Sequence, residues 1–171
     1  MSLQNEIPRL AYIEAQILHR AAAAGALTES VRAVERDYNL AHGSLGNGVF
    51  LQSRVLTLLY CLVVVPKEVW ASNAGHPVYT RVSSNWTVPD GAVTRRREDD
   101  KGPPTYDFVR HLRNAVSHAR FSFHDGSFHF WDQRTNEQEP SFRATLTVKQ
   151  IEKFLETVGA ILANLGSLHT A

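Results

Sequence analysis

One short segment of the chain combines residue types that could bind a phosphate group and transfer a proton. The octapeptide from His111 to His118 contains Arg113 and Asn114. Histidine exchanges a proton near neutral pH, with an ordinary pKa of about 6.5, and arginine presents a permanently charged fork that matches a phosphate. Asn114 and His118 are four residues apart, so on a helix they share a face and the amide can orient the imidazole. The segment therefore suggests acid–base chemistry on a phosphorylated substrate.

The position of Arg113 raises a geometric difficulty for one helix acting alone. Arg113 lies five residues before His118, and five steps of about 100° leave the two side chains roughly 140° apart. Two such helices facing each other across a twofold axis could supply one arginine and one histidine to a shared cleft. A plainer interpretation places Arg113 in a surface ion pair and His118 at a helix C-terminus, where its charge favours the dipole. The residues alone favour this plainer interpretation.

The elements that must position this segment are expected to be mainly helical. Thr28 can cap a second helix, and Val49–Trp70 is predicted as a buried helix that Pro66 kinks or ends. Tyr106–Arg120 is expected to form the helix that carries the octapeptide, with Thr105 as its cap. In the first segment, apolar residues recur at helical spacing, namely Leu10, Ile13, Ile17, Ala21 and Ala24.

After this helix the apolar period switches from helical spacing to two. Residues 121–130 form two alternating runs joined by Asp125-Gly126, a strong signal for a two-residue hairpin turn. This turn sets two phenylalanine pairs opposite each other, Phe121 with Phe130 and Phe123 with Phe128. His124 and His129 then lie on the polar face of the hairpin. Phe142–Leu146 could add a third strand, and Thr147–Gln150 has capping-box spacing before a last helix.

The predicted fold class is therefore all-α, a helical bundle with a small hairpin of two or three strands inserted before the last helix. Residues 1–171 are expected to form a single domain. Within it, residues 73–104 contain four prolines and are predicted as an exposed loop region. The charge run Arg95–Lys101 could be an arm for nucleic-acid phosphates, but its three acids offset most of its four bases, which favours a solvated loop. Thr94–Gly102 is expected to be exposed.

Composition limits the classes of protein to which this chain can belong. The 171 residues carry a net charge of +1, which excludes a strongly basic DNA coat but not a local phosphate site. The single cysteine, Cys61, excludes an intrachain disulfide and suits a reducing compartment. The longest apolar run, Leu58–Val65, is far shorter than the roughly 20 residues that span a bilayer. Without a signal pattern at the start, a cytoplasmic protein with no membrane association is expected.

Metal and cofactor sites are not predicted. His118, His124 and His129 are near one another in the sequence, but no HExxH, CxxC or compact carboxylate cluster accompanies them. The two hairpin histidines are more simply interpreted as part of a wet strand face. Cys61 lies in the apolar helix and is expected to be an inert core residue.

The octapeptide resembles the motif of the HEPN superfamily (higher eukaryote and prokaryote nucleotide-binding domains), which is an arginine, a polar residue, three further residues and a histidine. Arg113, Asn114 and His118 match that pattern position by position, and the next three residues, Ala119-Arg120-Phe121, also look similar to the family. The predicted helices before the motif and the closing helix extend the resemblance over most of the chain. The late hairpin is similar to a plasmid-borne branch of the superfamily.

This resemblance implies a homodimer through the motif helix, with RNA as the partner. Most such proteins are metal-independent endoribonucleases, so Arg113, Asn114 and His118 are candidate catalytic residues, with Arg110, His111 and Arg120 as candidate substrate-binding residues. A 2′-hydroxyl would attack the adjacent phosphate while histidine moves the protons. The implied role is a toxin or anti-phage effector.

The resemblance also implies an alternative, because some members have lost catalysis. Such a module would bind RNA, a nucleotide or a partner protein. An adjacent antitoxin or nucleotidyltransferase gene would favour the toxin interpretation and would name a candidate partner.

Overall fold

The fold consists of helices packed on one face of an antiparallel sheet. The computed structural model describes residues 3–46, 48, 51–68, 70, 73–95, 100, 102–135 and 137–165. The helices are α1 (Leu3–Ala23), α2 (Thr28–Asp37), α3 (Leu51–Leu59), α4 (Pro77–Asn85), α5 (Pro104–Ser117) and α6 (Val148–Leu165). The strands are β1 (Val93–Arg95), β2 (Phe121–His124), β3 (Ser127–Asp132) and β4 (Phe142–Thr147).

The prediction of an all-α fold is wrong. The four strands form one antiparallel sheet in the order β1-β4-β3-β2, so the fold is mixed α/β. The predicted hairpin and third strand account for three of these strands. β1 closes the other edge by pairing with β4, where Val93 lies opposite Ala144. One face of a four-stranded sheet must be covered to form a core. Here α5 packs against β3 and α6 packs against β4 on that face.

The hairpin prediction is confirmed in its register. Phe121 pairs with Phe130 and Phe123 with Phe128, and the two turn residues have positive φ values of 51° at Asp125 and 70° at Gly126. Positive φ at both turn positions matches the twist of the flanking strands. The two phenylalanines of β3 are fully buried, whereas Phe123 on the edge strand is 37% exposed.

The predicted capping box at the start of α6 is confirmed. Gln150 donates its backbone N–H to the Thr147 hydroxyl at 3.3 Å, and the Gln150 amide oxygen accepts the Thr147 N–H at 2.9 Å. These two bonds satisfy donors that the first turn of a helix otherwise leaves unpaired.

The prediction that residues 73–104 form an exposed loop is wrong over much of its length. α4 lies within it, with Pro77 in the first turn and the His76 ring accepting the Val78 N–H at 3.3 Å. Burial lowers the pKa of His76, which favours the neutral form that can accept this bond. Five of its apolar residues are buried, namely Val78, Tyr79, Val82, Trp86 and Ala92. Of the segment 94–102 that was expected to be exposed, residues 96–99 and 101 lie outside the described residues.

The buried helix predicted for Val49–Trp70 is present over residues 51–68, but it is not regular. α3 continues through a π-helical turn at Tyr60–Val64 into a 3-10 turn at Val65–Glu68. Pro66 departs from helical geometry with φ −82° and ψ 26°. A proline lacks the N–H of the helix ladder and crowds the preceding turn, so the distortion lies where it was expected. Residues 49, 50 and 69 lie outside the described part.

The predicted apolar stripe of α1 does not face the core. Leu10 is 55% exposed and Ile17 is 62% exposed, whereas Tyr12 and Ala15 pack against the core. A Cβ at Gly159 of α6 would lie 2.1 Å from the Tyr12 ring. Because Gly159 has no side chain, the Tyr12 ring can pack directly against α6. This contact determines which side of α1 is buried.

Helix α2 is joined to the following turn by a buried carboxylate. Glu35 accepts the backbone N–H groups of Gly43 and Leu45, each at 3.0 Å. These two bonds, with smaller contributions from the charges of His42 and Arg32, lower the pKa of Glu35.

Replacing this carboxylate is expected to cost stability in a pH-dependent way. Glu35→Gln should lower the melting temperature at pH 7, because the amide offers one acceptor oxygen where the carboxylate offers two. The folded pKa lies below the ordinary value of 4.5, so the wild-type advantage is complete above that pH and is lost as the pH falls through the folded pKa. Thermal melts of both proteins between neutral and acid pH measure this difference. The exposed control Glu29→Gln should show a far smaller one, and an equal shift in both variants would contradict the assignment.

Within the described ranges, no helix is both long enough and apolar enough to cross a membrane.

Candidate functional site

Helix α5 lies at the centre of the molecule and leaves only a narrow stripe uncovered. Its apolar side is buried in the core, with Phe108, Leu112 and Ala115 at most 2% exposed. The uncovered stripe consists of half-buried or exposed residues at helical spacing, namely Tyr106, Arg110, Arg113 and Ser117. The candidate catalytic arginine therefore lies at the surface of a rigid, well-packed helix.

His118 lies at the end of α5, where the chain turns toward β2. Ala119 donates its N–H to the carbonyl of Val116 and Arg120 donates to that of Ala115, which is the Schellman pattern of helix termination. Ala119 has φ +52°, a left-handed conformation that a residue with a Cβ adopts at some cost. His118 is exposed, and no hydrogen bond of the described part reaches its ring. The imidazole is thus available to a ligand.

Asn114 is held from both sides. Its amide nitrogen donates to Oδ2 of Asp132 at 3.0 Å, and its amide oxygen accepts from Nη2 of Arg113 at 2.9 Å. The donors and acceptors fix the orientation of the amide, since a flipped amide would face each partner with the wrong group. The Asn114 backbone carbonyl also accepts the N–H of His118 at 3.1 Å. Arg113 and His118 are therefore both linked to one residue whose position Asp132 sets.

Beneath Asn114 lies a fully buried histidine between two carboxylates. His111 Nδ1 is 2.8 Å from Oδ2 of Asp132, and Nε2 is 2.9 Å from Oδ2 of Asp100. The ring also stacks on Phe142, with centroids 4.4 Å apart and planes 12° apart. Nε2 is also 3.3 Å from Nη2 of Arg110, so the ring contacts a guanidinium as well as two carboxylates. His111 joins the strand residue Asp132 to the segment before α5.

Arginines surround His111 and its two carboxylates. Arg110 contacts Asp100 directly and lies 3.6 Å from Asp107, while Arg120 lies 3.8 Å from Asp132. In the described part of the chain the network joins three arginines and one histidine to three aspartates, namely Arg110, Arg113, Arg120 and His111 with Asp100, Asp107 and Asp132. The three guanidinium groups match the three carboxylates in charge, so attraction between opposite charges holds the network together.

A buried aromatic cluster lies beside Arg113. The Tyr79 ring is 5.3 Å from that of Trp70 and 5.2 Å from that of Tyr106. Burial raises the pKa of Tyr79, and the positive charge of Arg113 opposes this shift only in part. Tyr79 therefore stays protonated at neutral pH and is no candidate for a general base.

The structure brings most of the predicted site residues into one network but gives them different roles. Arg113 and Asn114 are hydrogen-bonded to each other. His118 lies at the end of the helix, and within the described residues no hydrogen bond joins its ring to either of them. Arg110 and Arg120 are half-buried and pair with Asp100 and Asp132.

The expectation that His111 binds substrate needs correction. The residue is 0% exposed and both ring nitrogens face carboxylates, so it positions other groups and does not meet a ligand.

Asp132 and Asp100 are the residues that sequence reasoning missed. Asp132 had a usable signal, because it continues the period-two series Phe128, Phe130 onto the buried face of β3. An acid at such a position needs a buried partner. Asp100 had no such signal, since it belongs to the charge run that was interpreted as solvated, yet its side chain is 3% exposed.

Cys61 is half-buried in the helical stretch that follows α3, and burial raises the pKa of its thiol. A thiol of this kind is largely protonated at neutral pH, which agrees with a structural role.

Comparison with known proteins gives one match. The model of the family described as HEPN pEK499 p136 matches residues 1–167. No curated protein and no solved structure matches the chain. Because the match covers nearly the whole chain, the chain belongs to the HEPN pEK499 p136 family.

Proposed function

We propose that this protein is a metal-independent endoribonuclease that acts as a dimer. The observation that carries the proposal is the exposed His118 imidazole, which follows by one helical turn an asparagine that Arg113 and Asp132 hold in a fixed orientation. A histidine that exchanges protons and an arginine that binds phosphate are the two groups that RNA cleavage without a metal needs.

In the proposed reaction the ribose 2′-hydroxyl oxygen attacks the adjacent phosphorus atom, and the bond from phosphorus to the 5′-oxygen breaks. His118 of one protomer accepts the proton of the 2′-hydroxyl, and His118 of the second protomer donates a proton to the leaving 5′-oxygen. Arg113 binds the phosphate and stabilises the charge that develops on it. The products are a 2′,3′-cyclic phosphate and a 5′-hydroxyl.

The positions of these groups on α5 support the proposal of a dimer. Arg113 belongs to the uncovered stripe of the helix, whereas His118 lies at its end, so one protomer presents half of the site. Two copies of the stripe, packed across a twofold axis, would bring each Arg113 toward the His118 of the other copy.

Incubation of the purified protein with total RNA, with and without EDTA, tests the proposal. Cleavage should persist in EDTA and leave 2′,3′-cyclic phosphate ends, which resist ligation at the 3′-hydroxyl until the ring is opened and the phosphate is removed. A strict requirement for a divalent metal, or 3′-hydroxyl products, would contradict the mechanism.

The dimer makes its own prediction. Light scattering should give twice the 19.1 kDa of one chain. Mixing an Arg113→Ala chain with a His118→Ala chain should leave the activity far below that of the wild type, because each heterodimer then carries one His118 whereas the mechanism uses the His118 of both protomers. A fully active monomer would contradict the composite site.

A catalytically silent module that binds RNA, a nucleotide or a partner protein is the second candidate. It is favoured by the contact between Arg113 and its neighbour Asn114, which holds the guanidinium on its own helix. This candidate predicts RNA binding without cleavage in the assay above. A role as a toxin or anti-phage effector, with an antitoxin or nucleotidyltransferase as partner, belongs to the first candidate.

A further inference from the structure

The sheet has an outer face, opposite the side on which α5 and α6 pack. On β3 the residues alternate between fully buried phenylalanines and half-buried positions that point outward. The residues of β2 and β4 that pair with these outward positions lie on the same face of the sheet. We define the outer face by six residues: Ser122, His124, His129, Trp131, Arg143 and Thr145.

Flat rings occupy much of the outer face. His124 and His129 stack with ring centroids 3.7 Å apart and planes only 10° apart. Trp131 lies two residues beyond His129 on the same strand and face, a separation of roughly 6.8 Å along the strand. Aromatic rings at a solvent-facing position of a strand are not needed for the core, which the opposite side of β3 already fills. They offer stacking surfaces side by side.

The charges of the outer face suit a polyanion. Arg143 is exposed, lies directly opposite Trp131, and makes no ion pair with any residue that the structure describes. None of the six residues is acidic, and Asp125 of the adjacent turn contacts only the outer histidine, His124. Lone arginines beside aromatic rings are well suited to nucleic-acid strands, because the ring stacks on a base while the guanidinium meets a phosphate.

One polar atom on this face lacks a partner. His129 Nδ1 lies 3.1 Å from the Thr145 hydroxyl, but Nε2 is buried with no hydrogen bond within the described structure. Buried polar groups in proteins are nearly always satisfied, so this unpaired nitrogen is an exception in the packing of the face.

The outer face is continuous with the candidate active site. Trp131 donates its N–H to the carbonyl of Arg120 at 3.1 Å, and the next residue along β3 is Asp132, which holds Asn114. His118 precedes Arg120 by two residues. An RNA strand that crosses the face along β3 toward Trp131 therefore reaches the chain segment that follows the proposed catalytic histidine.

We propose that the outer face binds single-stranded RNA, with bases stacked on Trp131 and on the His124–His129 pair and with Arg143 on a phosphate. This inference rests on the proposed function in that it assigns how the RNA reaches that site. Single strands are required because the base faces of a duplex are already stacked on one another and cannot contact the rings.

The test measures binding of a short fluorescein-labelled oligouridylate by fluorescence anisotropy. All variants are made in the His118→Ala chain, so the probe stays intact and the result does not depend on whether the wild type cleaves RNA. Trp131→Ala should weaken binding about tenfold, and Trp131→Phe, which keeps an aromatic ring, should bind within about twofold of its parent. Arg143→Gln should weaken binding about threefold and reduce the slope of log affinity against log salt by roughly 0.7, as expected for one lost phosphate contact.

Arg36→Gln, an exposed arginine of α2, is the matched control and should bind as its parent does. Circular dichroism melts check that each variant is folded, and Arg143→Gln, at an exposed position, tests the face even if Trp131→Ala does not fold. Affinity unchanged in both Trp131→Ala and Arg143→Gln would overturn the inference, as would duplex RNA binding more tightly than the single strand. Weakened binding in these variants together with an inactive wild type would support the inference and refute the proposed cleavage.

Discussion

Arg113→Ala and His118→Ala are each expected to lower the rate of RNA cleavage by about 10³-fold or more. His118 is exposed and Arg113 lies on the uncovered stripe of α5, so neither substitution removes a core contact. Loss of His118 removes both the base and the acid of the proposed dimer, and loss of Arg113 removes the charge that stabilises the phosphate. Rates are measured in EDTA on a labelled RNA, and both variants should keep the wild-type melting temperature to within a few degrees.

Two further variants separate chemistry from general damage. Asn114→Ala should cost less than the other two, because the amide orients its neighbours and need not touch the reacting atoms. Arg36→Gln, which removes an exposed arginine remote in sequence from the motif, should leave the rate unchanged. Cleavage at the wild-type rate in either Arg113→Ala or His118→Ala would refute the assignment of that residue.

The parts of the fold that local sequence determines were predictable. The register of the hairpin followed from Asp125-Gly126 and a period of two, because a two-residue turn fixes which residues face each other. The capping box at Thr147 and Gln150 likewise involves neighbours in the chain. In such places the interacting groups are close in sequence, and short patterns are sufficient.

Elements that depend on distant partners were not predictable. β1 is three residues long, and its conformation depends on pairing with β4 much later in the chain. Residues 73–104 were predicted as a loop from their prolines, whereas Pro77 in the first turn and the His76 cap favour a helix, in which Val78, Tyr79 and Val82 are buried. The all-α prediction was wrong because the edge that β1 closes leaves almost no local signal.

The same distinction applies to the candidate site. Arg113, Asn114 and His118 are adjacent in one helix and match a family pattern, so the sequence was enough to select them. Asn114 is fixed by a carboxylate on a strand, which reaches it only in the folded chain. The alternation along β3 could have indicated this carboxylate, because Phe128, Phe130 and Asp132 occupy every second position and therefore lie on the same buried face.

Asp132 is therefore expected to have the largest effect on stability among the residues near the site. Asp132→Ala leaves His111 and the Asn114 amide without their shared acceptor in a buried region, and each buried donor left unsatisfied costs about 1–3 kcal/mol. This is a large fraction of the roughly 5–15 kcal/mol that keeps a domain folded. The free energy of unfolding, measured with urea at pH 7, gives the loss directly.

Asp132→Asn provides the sharper comparison because it preserves the shape of the side chain. Its single amide oxygen, in the place of Oδ2, can still accept from both His111 and Asn114, but the charge is lost and the NH₂ group then stands in place of Oδ1 beside Arg120, so we expect a loss of about 1–3 kcal/mol. The matched control is Asp125→Asn on the same hairpin, where the side chain is 97% exposed and the loss should stay within about 0.5 kcal/mol. Asp132→Asn should also cleave RNA more slowly while it is still folded, because a neutral amide oxygen holds the Asn114 amide less strongly than a carboxylate does. Equal stability losses in the two variants would show that the buried carboxylate does not hold the site together.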